Sequence, residues 1–555
     1  MMHEKILKEA PGQTDARRPP RASRIRQYLP FAALAIILAF VFVVRLNLLG
    51  IPFERDEGIY NYFGQQVLEG KTPYVDFYEM KPLGLYYSYA ALNFVFGRSY
   101  QASHAAFMVL NALTVIALFF IGKRLFDSTS GWVVAAAYAL LSLGPAVSGF
   151  ASQSEHIVAL FVSVGLLILL RAFESQKKAT FFLAGLLIGY AFLVKQSAVF
   201  IILFGGLAIV AFHLLRRPVN AKLLIRNGLL YSSGVFGIYF LSILILAFHG
   251  ALEEFWFWTY EFPKGYVAAI SLREGLEFLR LYFEDVAENH VVLWTLGGVG
   301  LTGIFITRLE WDKKVLVGMF AVFSFFTIWP TLRFYGHYWI QLLPALSLLI
   351  GASSYVIHHI FIDRIKIKGA AWAGVLVFVV GVFTTVHGEK DYYFNPDFHK
   401  ILRRVYGSNP FPEAKKIGDF IAKRTVEGDK VALIGSEPEI YIYSGTRAPS
   451  RHAYFSHLVK NNIEQEEWQR EFVLDLEREM PKYLVVFNHP GSLLIWPGAK
   501  KEFLKRVRSF GKKYYRKVGF VDMISERKSV YKWHDDMQGY QAEGPYNIHI
   551  FERKL

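Results

Sequence analysis

The feature that most constrains this chain is a series of long apolar runs separated by short basic segments. The first run, "LPFAALAIILAFVFVV", begins at Leu29 and contains no charged residue. A helix needs roughly 20 apolar residues to cross the hydrocarbon core of a bilayer. These runs raise the hydrophobic share of the 555 residues to 53%, above the usual share in soluble domains. The sequence therefore predicts an α-helical polytopic membrane protein.

About eleven crossings are predicted when the apolar runs are placed against the basic hinges between them. Positive residues in short loops orient those loops toward the cytoplasm, and Arg17, Arg18 and Arg21 precede the first run. Residues 1–28 are therefore expected to form a cytoplasmic tail, and an odd number of crossings places the C-terminus outside. The predicted crossings are 29–49, 101–122, 131–149, 156–171, 180–194, 198–215, 228–249, 291–307, 315–331, 338–358 and 369–387.

Two long loops fall on the outer side in this topology, residues 50–100 and 250–290, within a transmembrane domain at 29–389. Loops of more than about a dozen residues are usually functional or disordered. Both contain aromatic and amphipathic stretches, so we expect helices that lie in the plane of the membrane interface. In the second loop, Trp256 and Trp258 are expected to belong to an interfacial aromatic belt rather than to a sugar-binding platform.

The sequence pattern changes near residue 390, where apolar runs give way to alternating strand and helix patterns. The segments "KVALIG", "KYLVVFN" and "YNIHIFER" predict strands. The segments "PEAKKIGDFIAKRT", "EEWQREFVLDLEREM" and "KKEFLKRVRSFGKKY" predict helices. This alternation predicts a small α/β domain at 390–555, which the topology places outside the cytoplasm.

Charge and cysteine content exclude several classes of function. The net charge of +15 comes largely from the hinges between spans, so a nucleic-acid partner is not predicted. The chain has no cysteine, which excludes disulfides and thiolate catalysis. The expected location is the inner (plasma) membrane, with the lipid bilayer itself as a partner.

The first long loop places acidic residues immediately after a predicted span. Asp56 and Glu57 follow the first apolar run within a few residues, at the level of lipid headgroups. Charge is costly at that depth unless it is used. Glu155 lies in "SQSEH" of the next outer loop, and Lys81 lies in "KPLG". The structural alternative for the Asp-Glu pair is a cap on a helix that begins near Gly58.

A carboxylate near a phosphate-binding cation is suited to glycosyl transfer from a lipid phosphate. The carboxylate takes a proton from the attacking acceptor hydroxyl. A lysine or arginine neutralises the charge that grows on the departing phosphate. Because the carrier's apolar tail stays in the bilayer, this reaction takes place at the membrane face, where the acidic residues are predicted.

The stretch "RDEGIYNYFGQQVLEGKTPYVDFYEMKPLGLYY" (55–87) resembles the first extracytoplasmic loop of the C-type membrane glycosyltransferases. The resemblance is to the branch that contains protein O-mannosyltransferases and aminoarabinose transferases acting on lipid A (families 39 and 83). That loop has an Asp-Glu pair, a tyrosine and a Lys-Pro motif, which match Asp56, Glu57, Tyr60, Lys81 and Pro82.

Two later segments extend the resemblance over most of residues 29–387. "SQSEH" resembles the second acidic motif of the family, with Glu155 as the matching acid. "RFYGHYWIQLLPALSLL" (333–349) resembles a later segment with His337 and Tyr338 at its outer end. The "WWDYG" signature of oligosaccharyltransferases is absent from the sequence, which argues against transfer of a whole glycan to asparagine.

The resemblance implies an inverting enzyme that moves one sugar from a polyprenyl-phosphate donor to an extracytoplasmic acceptor. The acceptor is a hydroxyl of lipid A, of a polysaccharide or of a protein. Asp56 would be the general base, with Glu57 beside it in the catalytic site. The expected donor-phosphate ligands are Lys81, Arg333 and Lys195, although Lys195 could equally extend toward the membrane interface. The expected substrate-binding residues are Tyr60, Glu155, His337 and Tyr338.

A divalent metal ion in an oxygen-rich site is left open by the sequence. The candidate ligands are Glu57, Glu79, Glu155 and His156. In the aminoarabinose transferases a glutamate directly precedes the Lys-Pro motif, whereas here Met80 intervenes. Metal binding therefore does not follow from the resemblance.

Two other classes of function are weighed against an enzyme. A transporter or flippase of lipid-linked sugars would need ionisable residues buried in the middle of spans, or broken helices in paired repeats. An assembly protein that binds glycan through its C-terminal domain would need an anchor, but not eleven crossings. The position of the acidic residues in outer loops favours the enzyme.

Overall fold

The computed structural model describes residues 21–216, 218–367, 372–460 and 464–554. Up to residue 394 the described chain is almost entirely helical. The helices are Arg21–Leu48 (α1), Arg55–Leu68 (α2), Leu83–Phe96 (α3), Tyr100–Leu125 (α4), Ser128–Leu141 (α5), Ser154–Ser175 (α6), Lys178–Val194 (α7), Val199–Leu215 (α8), Ala221–Phe248 (α9), Leu252–Trp256 (α10), Phe262–Ala268 (α11), Leu272–Ala287 (α12), Val291–Gly303 (α13), Trp311–Phe326 (α14), Leu343–His359 (α15), Ala373–Gly388 (α16) and Lys390–Phe394 (α17).

Each predicted crossing coincides with one helix: α1, α4 to α9, and α13 to α16. Within the described residues, seven helical segments are long and apolar enough to cross a membrane, and α5, α7 and α16 are shorter apolar helices. Phe236 on α9 is 68% exposed and Phe383 on α16 is 70% exposed, as expected of side chains that face lipid. The prediction of a multi-pass helical membrane protein is confirmed. Arg17, Arg18 and the rest of residues 1–20 lie outside the described residues.

The two long predicted loops are folded into helices, as expected. Residues 50–100 contain α2 and α3, and residues 250–290 contain α10, a π-helical turn at Phe257–Glu261, α11 and α12. The prediction that Trp258 belongs to an interfacial aromatic belt is wrong, because its side chain is buried against two other aromatic rings. It stacks on Tyr78 with ring centroids 3.8 Å apart, and on Trp468 with centroids 4.7 Å apart. Trp258 therefore joins three distant segments of the chain.

Residues 390–554, here called the C-terminal region, combine helices with one five-stranded sheet. Its further helices are Phe398–Tyr406 (α18), Phe411–Ala422 (α19), Glu439–Ser444 (α20), Gln465–Glu479 (α21), Pro490–Leu493 (α22) and Glu502–Tyr514 (α23). Its strands are Val431–Ile434 (β1), Tyr483–Asn488 (β2), Tyr515–Ser525 (β3), Lys528–Trp533 (β4) and Tyr546–Arg553 (β5). The strand order is β1-β2-β5-β3-β4.

Strands β1, β2 and β5 confirm the three predicted strands, whereas β3 and β4 are not anticipated by the sequence pattern. The pair β1 and β2 is parallel, with Val431 opposite Tyr483, and the remaining pairs are antiparallel. The turn between β3 and β4 contains no glycine, asparagine or proline, so the usual hairpin signal is missing. Strand β3 is held in the sheet by antiparallel pairing with β5, in which Val521 lies opposite Ile548.

The C-terminal region packs directly on the start of α2. The Arg55 guanidinium donates from Nε to the carbonyl of Ser436 (2.7 Å) and from Nη2 to the carbonyl of Gly491 (2.6 Å). A Cβ atom at Gly58 would lie 2.5 Å from the backbone nitrogen of Glu439. Only glycine permits this approach, so the first loop and the C-terminal region form one closely packed contact.

Candidate active site

Helix α2 begins with a reciprocal cap that sets the direction of its first turn. The Glu57 amide donates to Glu54 Oε1 (2.9 Å), and the Glu54 amide donates to Glu57 Oε2 (3.2 Å). Each carboxylate thereby satisfies one of the amides that a helix start leaves unpaired. The helix starts at Arg55, three residues before the expected start near Gly58. Carboxylates in this turn are also favoured by the helix dipole.

Asp56 and Tyr60, one turn apart on α2, both line a central cavity of about 1610 Å³. The neighbouring Glu57 points elsewhere, because successive residues of an α-helix are about 100° apart around its axis. Glu57 is fully buried, and its Oε1 accepts hydrogen bonds from the Ser152 amide (2.5 Å) and the Ser152 hydroxyl (2.8 Å). His104 Nε2 lies 2.8 Å from the same oxygen. Glu57 thus fixes α2 against the rest of the fold and does not line the cavity, whereas the sequence suggests catalytic and metal-binding roles for it.

Eight of the eleven residues singled out in the sequence line the central cavity. Those outside its lining are Glu57, Glu155 and His156. The eight lining residues are Asp56, Tyr60, Glu79, Lys81, Lys195, Arg333, His337 and Tyr338. Among the residues that the structure describes, seven lysine and arginine side chains and four carboxylates line the cavity, so its wall is electropositive.

Glu155 acts on the cavity through Lys195. Its Oε1 accepts a hydrogen bond from Lys195 Nζ, and His337 Nε2 lies 3.9 Å from the same oxygen. Lys195 Nζ also lies 3.9 Å from the centre of the Tyr338 ring. The charge of Lys195 is therefore balanced within the protein, which favours a positioning role over the expected phosphate-binding role.

Lys81 is held at the cavity wall by a tightly bonded loop. Gln196 Nε2 donates to the carbonyl of Met80 (2.6 Å), and the Tyr74 hydroxyl donates to the carbonyl of Lys81 (2.8 Å). Lys81 Nζ lies 3.8 Å from Glu79 Oε2. Burial lowers the pKa of Lys81, but the carboxylates of Glu79 and Asp56 outweigh it and raise that pKa above its usual value. Lys81 is therefore a positive charge at neutral pH.

Arg333 lies on a strained turn that leaves its side chain little freedom. Its two neighbours, Leu332 (φ 54°) and Phe334 (φ 48°), both adopt the left-handed backbone conformation. Such a conformation costs about 1–3 kcal/mol for each non-glycine residue and persists where the surroundings enforce it. Arg333 Nη1 donates to the carbonyl of Tyr266 (2.9 Å), and the guanidinium lies 3.8 Å from the centre of the Tyr266 ring. The turn aims a fixed cation into the cavity.

The metal candidates do not form a common ligand set. Within the described ranges, no group of three or more histidine or carboxylate side chains is arranged to hold a metal ion. Glu57 is engaged with Ser152, and Glu155 with Lys195. His156 is buried beside the Phe107 ring, and its nitrogens have no hydrogen-bond partner among the described residues.

The cavity residues that were not anticipated from the sequence include Tyr266, Lys460 and Trp496. Tyr266 belongs to α11, whereas Lys460 and Trp496 belong to the C-terminal region. In the sequence, these two residues follow Lys81 by 379 and 415 positions. Lys460 follows the segment "FSHLV", which has no motif or periodicity that marks a site. The packing of the C-terminal region on the first loop brings Lys460 and Trp496 into the cavity that Asp56 lines.

The chain is similar to a protein-family model and to solved structures of known proteins. Residues 80–247 match the family model described as dolichyl-phosphate-mannose-protein mannosyltransferase. This range includes Lys81, Glu155 and Lys195, but neither Asp56 nor Arg333. No curated protein sequence matches the chain.

Two solved structures share the fold at low sequence identity. One is the Archaeoglobus fulgidus oligosaccharyltransferase tethered with an acceptor peptide, with 13% identity and a TM-score of 0.53, covering 92% of this chain and 75% of that chain. The other is ArnT from Cupriavidus metallidurans bound to undecaprenyl phosphate, with 14% identity and a TM-score of 0.53, covering 84% of this chain and 94% of that chain. Residues 80–247 therefore resemble the mannosyltransferase family model, and the chain shares the fold of these two membrane glycosyltransferase structures.

Proposed function

We propose that the enzyme transfers a single sugar from a polyprenyl-phosphate carrier to an acceptor hydroxyl, with Asp56 as the general base. The observation that carries this proposal is the presence of Asp56, Lys81 and Arg333 in one cavity. The same cavity has apolar lining from Phe192 and Ile328, which lie at or near helices α7 and α14. A charged head and a long apolar tail are the two features of such a donor.

Asp56 is placed to accept a proton from a substrate. In the described part of the chain, no group donates a hydrogen bond to its carboxylate, so both oxygens are available to an acceptor hydroxyl. The hydroxyl oxygen forms a bond to the anomeric carbon as the bond from that carbon to the phosphate oxygen breaks. Asp56 takes the proton, the polyprenyl phosphate leaves, and a single displacement inverts the configuration.

The cations Lys81 and Arg333 act on the leaving group. A sugar phosphodiester carries one negative charge, whereas the departing phosphate monoester carries about −1.5 to −2 at pH 7. Cations fixed in a partly buried site stabilise the additional charge more than they stabilise the substrate. The arginine turn and the bonded Lys81 loop supply such fixed cations.

The comparisons support the donor class. Archaeoglobus fulgidus AglB has been solved with a dolichol-phosphate (12% identity, TM-score 0.50), and the ArnT structure contains undecaprenyl phosphate. The family model is named for a dolichyl-phosphate sugar. The acceptor is a hydroxyl of lipid A, of a polysaccharide or of a protein.

The proposed arrangement in the cell follows from the charge pattern. The N-terminus lies in the cytoplasm, the transmembrane domain spans residues 29–389 of the inner (plasma) membrane, and residues 390–555 form an extracytoplasmic α/β domain. Cysteine-accessibility labelling tests this, because the natural chain has no cysteine. A cysteine introduced at Asp76 should react from outside; labelling only from the cytoplasmic side would overturn the proposal.

The activity is tested with purified enzyme and a panel of polyprenyl-phosphate sugars and hydroxyl acceptors. The change Asp56→Asn should lower the rate of transfer about 100- to 10,000-fold while donor binding persists. Asp76→Asn is the matched control, because Asp76 lies on the same loop, is exposed and does not line the cavity. Full transfer by Asp56→Asn would refute the assigned base, and no transfer by the wild type from any such donor would refute the donor class.

A further inference from the structure

Lys460 places a cation from the C-terminal region in the same cavity as Lys81 and Arg333. Its side chain lines the cavity, and the residue is only 8% exposed. The Nζ atom lies 5.3 Å from the centre of the Phe262 ring, 5.4 Å from that of Tyr266 and 5.9 Å from that of Trp496. Aromatic faces attract an ammonium at these distances. The three rings therefore hold the Lys460 head in place.

Lys460 and Arg333 are associated with the same ring. The Arg333 guanidinium lies 3.8 Å from the centre of Tyr266, whose ring is 5.4 Å from Lys460 Nζ. Burial, together with the charges of Lys81 and Arg333, lowers the pKa of Lys460 to about 8, against the opposing effect of Glu79 and Asp56. Nearby like charges raise each other's energy. An anion bound among Lys81, Arg333 and Lys460 would relieve that repulsion.

The position of Lys460 is set by contacts between the C-terminal region and the first loop. Arg55 donates to two carbonyls of that region, and the backbone of Glu439 touches α2 at Gly58. Trp258 also stacks on Tyr78 of the first loop and on Trp468 of the C-terminal region. Lys460 therefore belongs to a wall that is packed against the helices carrying Asp56.

Resting on the proposed function, we infer that Lys460 binds the donor phosphate together with Lys81 and Arg333, so that the C-terminal region completes the active site. The alternative is that this region is an accessory that guides acceptors. The phosphate gains charge when the sugar leaves, so Lys460 stabilises the polyprenyl-phosphate product more than the sugar-linked donor. Removing its charge should therefore lower kcat more than it raises KM for the donor.

The test uses the full-length enzyme in detergent and measures binding of undecaprenyl phosphate, with undecaprenol as the matched lipid without phosphate. Lys460→Met should weaken undecaprenyl phosphate binding about 10- to 100-fold, the range for loss of a charged contact. Lys460→Arg should retain most of the affinity. Lys505→Met is the control, because Lys505 lies in the same region and its side chain is 78% exposed.

The outcomes separate this inference from the proposed function. If the wild type binds undecaprenyl phosphate and Lys460→Met binds it equally well, the role of Lys460 is refuted while the proposed function stands. If Lys460→Met weakened the binding of undecaprenol and of undecaprenyl phosphate equally, the role of Lys460 would also be refuted. The substitution would then affect recognition of the lipid tail rather than of the phosphate. If the wild type binds neither donor nor product, both proposals fail. Should Lys460→Met not fold, Lys460→Gln provides the same comparison.

Discussion

The Asp56 carboxylate faces the central cavity, whereas the carboxylate of its neighbour Glu57 is buried against Ser152 and His104. Adjacent acids in an extended loop could both reach one substrate. Adjacent acids in the first turn of a helix cannot, because the helix directs them to different sides. Asp56 is therefore the carboxylate proposed as the base, whereas Glu57 holds α2 in place. Substitutions of the two residues should impair different properties of the enzyme.

Glu57→Gln should reduce stability. The NH₂ group of the glutamine would face the Ser152 amide and hydroxyl, which are donors themselves, or would leave them without an acceptor. An unsatisfied buried hydrogen-bonding group costs about 1–3 kcal/mol. Asp56→Asn should instead unfold at the wild-type temperature and lose about 100- to 10,000-fold in turnover, the usual contribution of a general base. Thermal unfolding and transfer rates measured on both variants test this separation. A stable, inactive Glu57→Gln enzyme would show that Glu57 takes part in the chemistry.

The buried pair of Glu155 and Lys195 should show strong coupling in a double-mutant cycle. Lys195→Met leaves the Glu155 carboxylate unpaired inside the protein, and breaking a buried ion pair in this way costs about 3–5 kcal/mol. The double variant Glu155→Gln, Lys195→Met removes both charges and should be more stable than Lys195→Met alone. Thermal unfolding of the four proteins in the cycle gives the coupling. Additive losses would mean that the pair does not act as a unit.

Binding of undecaprenyl phosphate should depend on pH through Lys460. Its pKa is lowered to about 8, and the charged groups that act on it are Glu79, Asp56, Lys81 and Arg333. The ammonium form binds the phosphate, so affinity should be full below pH 8 and fall as pH rises through 8, by about tenfold at pH 9. The phosphate has its second pKa near 6, so its charge stays nearly constant between pH 7 and 9.

Lys460→Arg provides the control for this pH dependence, because arginine keeps its charge throughout the range. Titrations of the wild type and Lys460→Arg at pH 7, 8 and 9 should give a falling curve and a flat curve. Two curves of the same slope would assign the pH dependence to another group.

Gly58→Ala should separate the C-terminal region from the first loop. The added methyl group would lie 2.5 Å from the Glu439 amide nitrogen, which is backbone and cannot move aside as a flexible side chain would. We expect faster proteolysis within the C-terminal region and weaker binding of undecaprenyl phosphate. Gly237→Ala is the matched control, because a Cβ atom there would meet no atom within 4 Å. Proteolysis at the wild-type rate in Gly58→Ala would contradict the close contact.

The spans could be predicted because the requirement that produces them is local. Every stretch that crosses a bilayer must be apolar along its own length, so "LPFAALAIILAFVFVV" indicates α1 without knowledge of any other segment. The strand β5 is recognisable in the same way. The strand β3 cannot be recognised from its own sequence, because it mixes charged and apolar residues. It is stabilised as a strand by pairing with β5, which follows β4 in the chain.

The sequence by itself determined that this is a multi-pass helical protein with an Asp-Glu pair and a Lys-Pro motif near a membrane face. Only the tertiary structure decided which carboxylate faces the cavity, that Glu155 balances Lys195, and that Lys460 approaches Arg333. Apolar runs and local motifs depend on neighbours a few residues away. The orientation of α2 and the position of Lys460 depend on contacts between residues hundreds of positions apart, which no local pattern records.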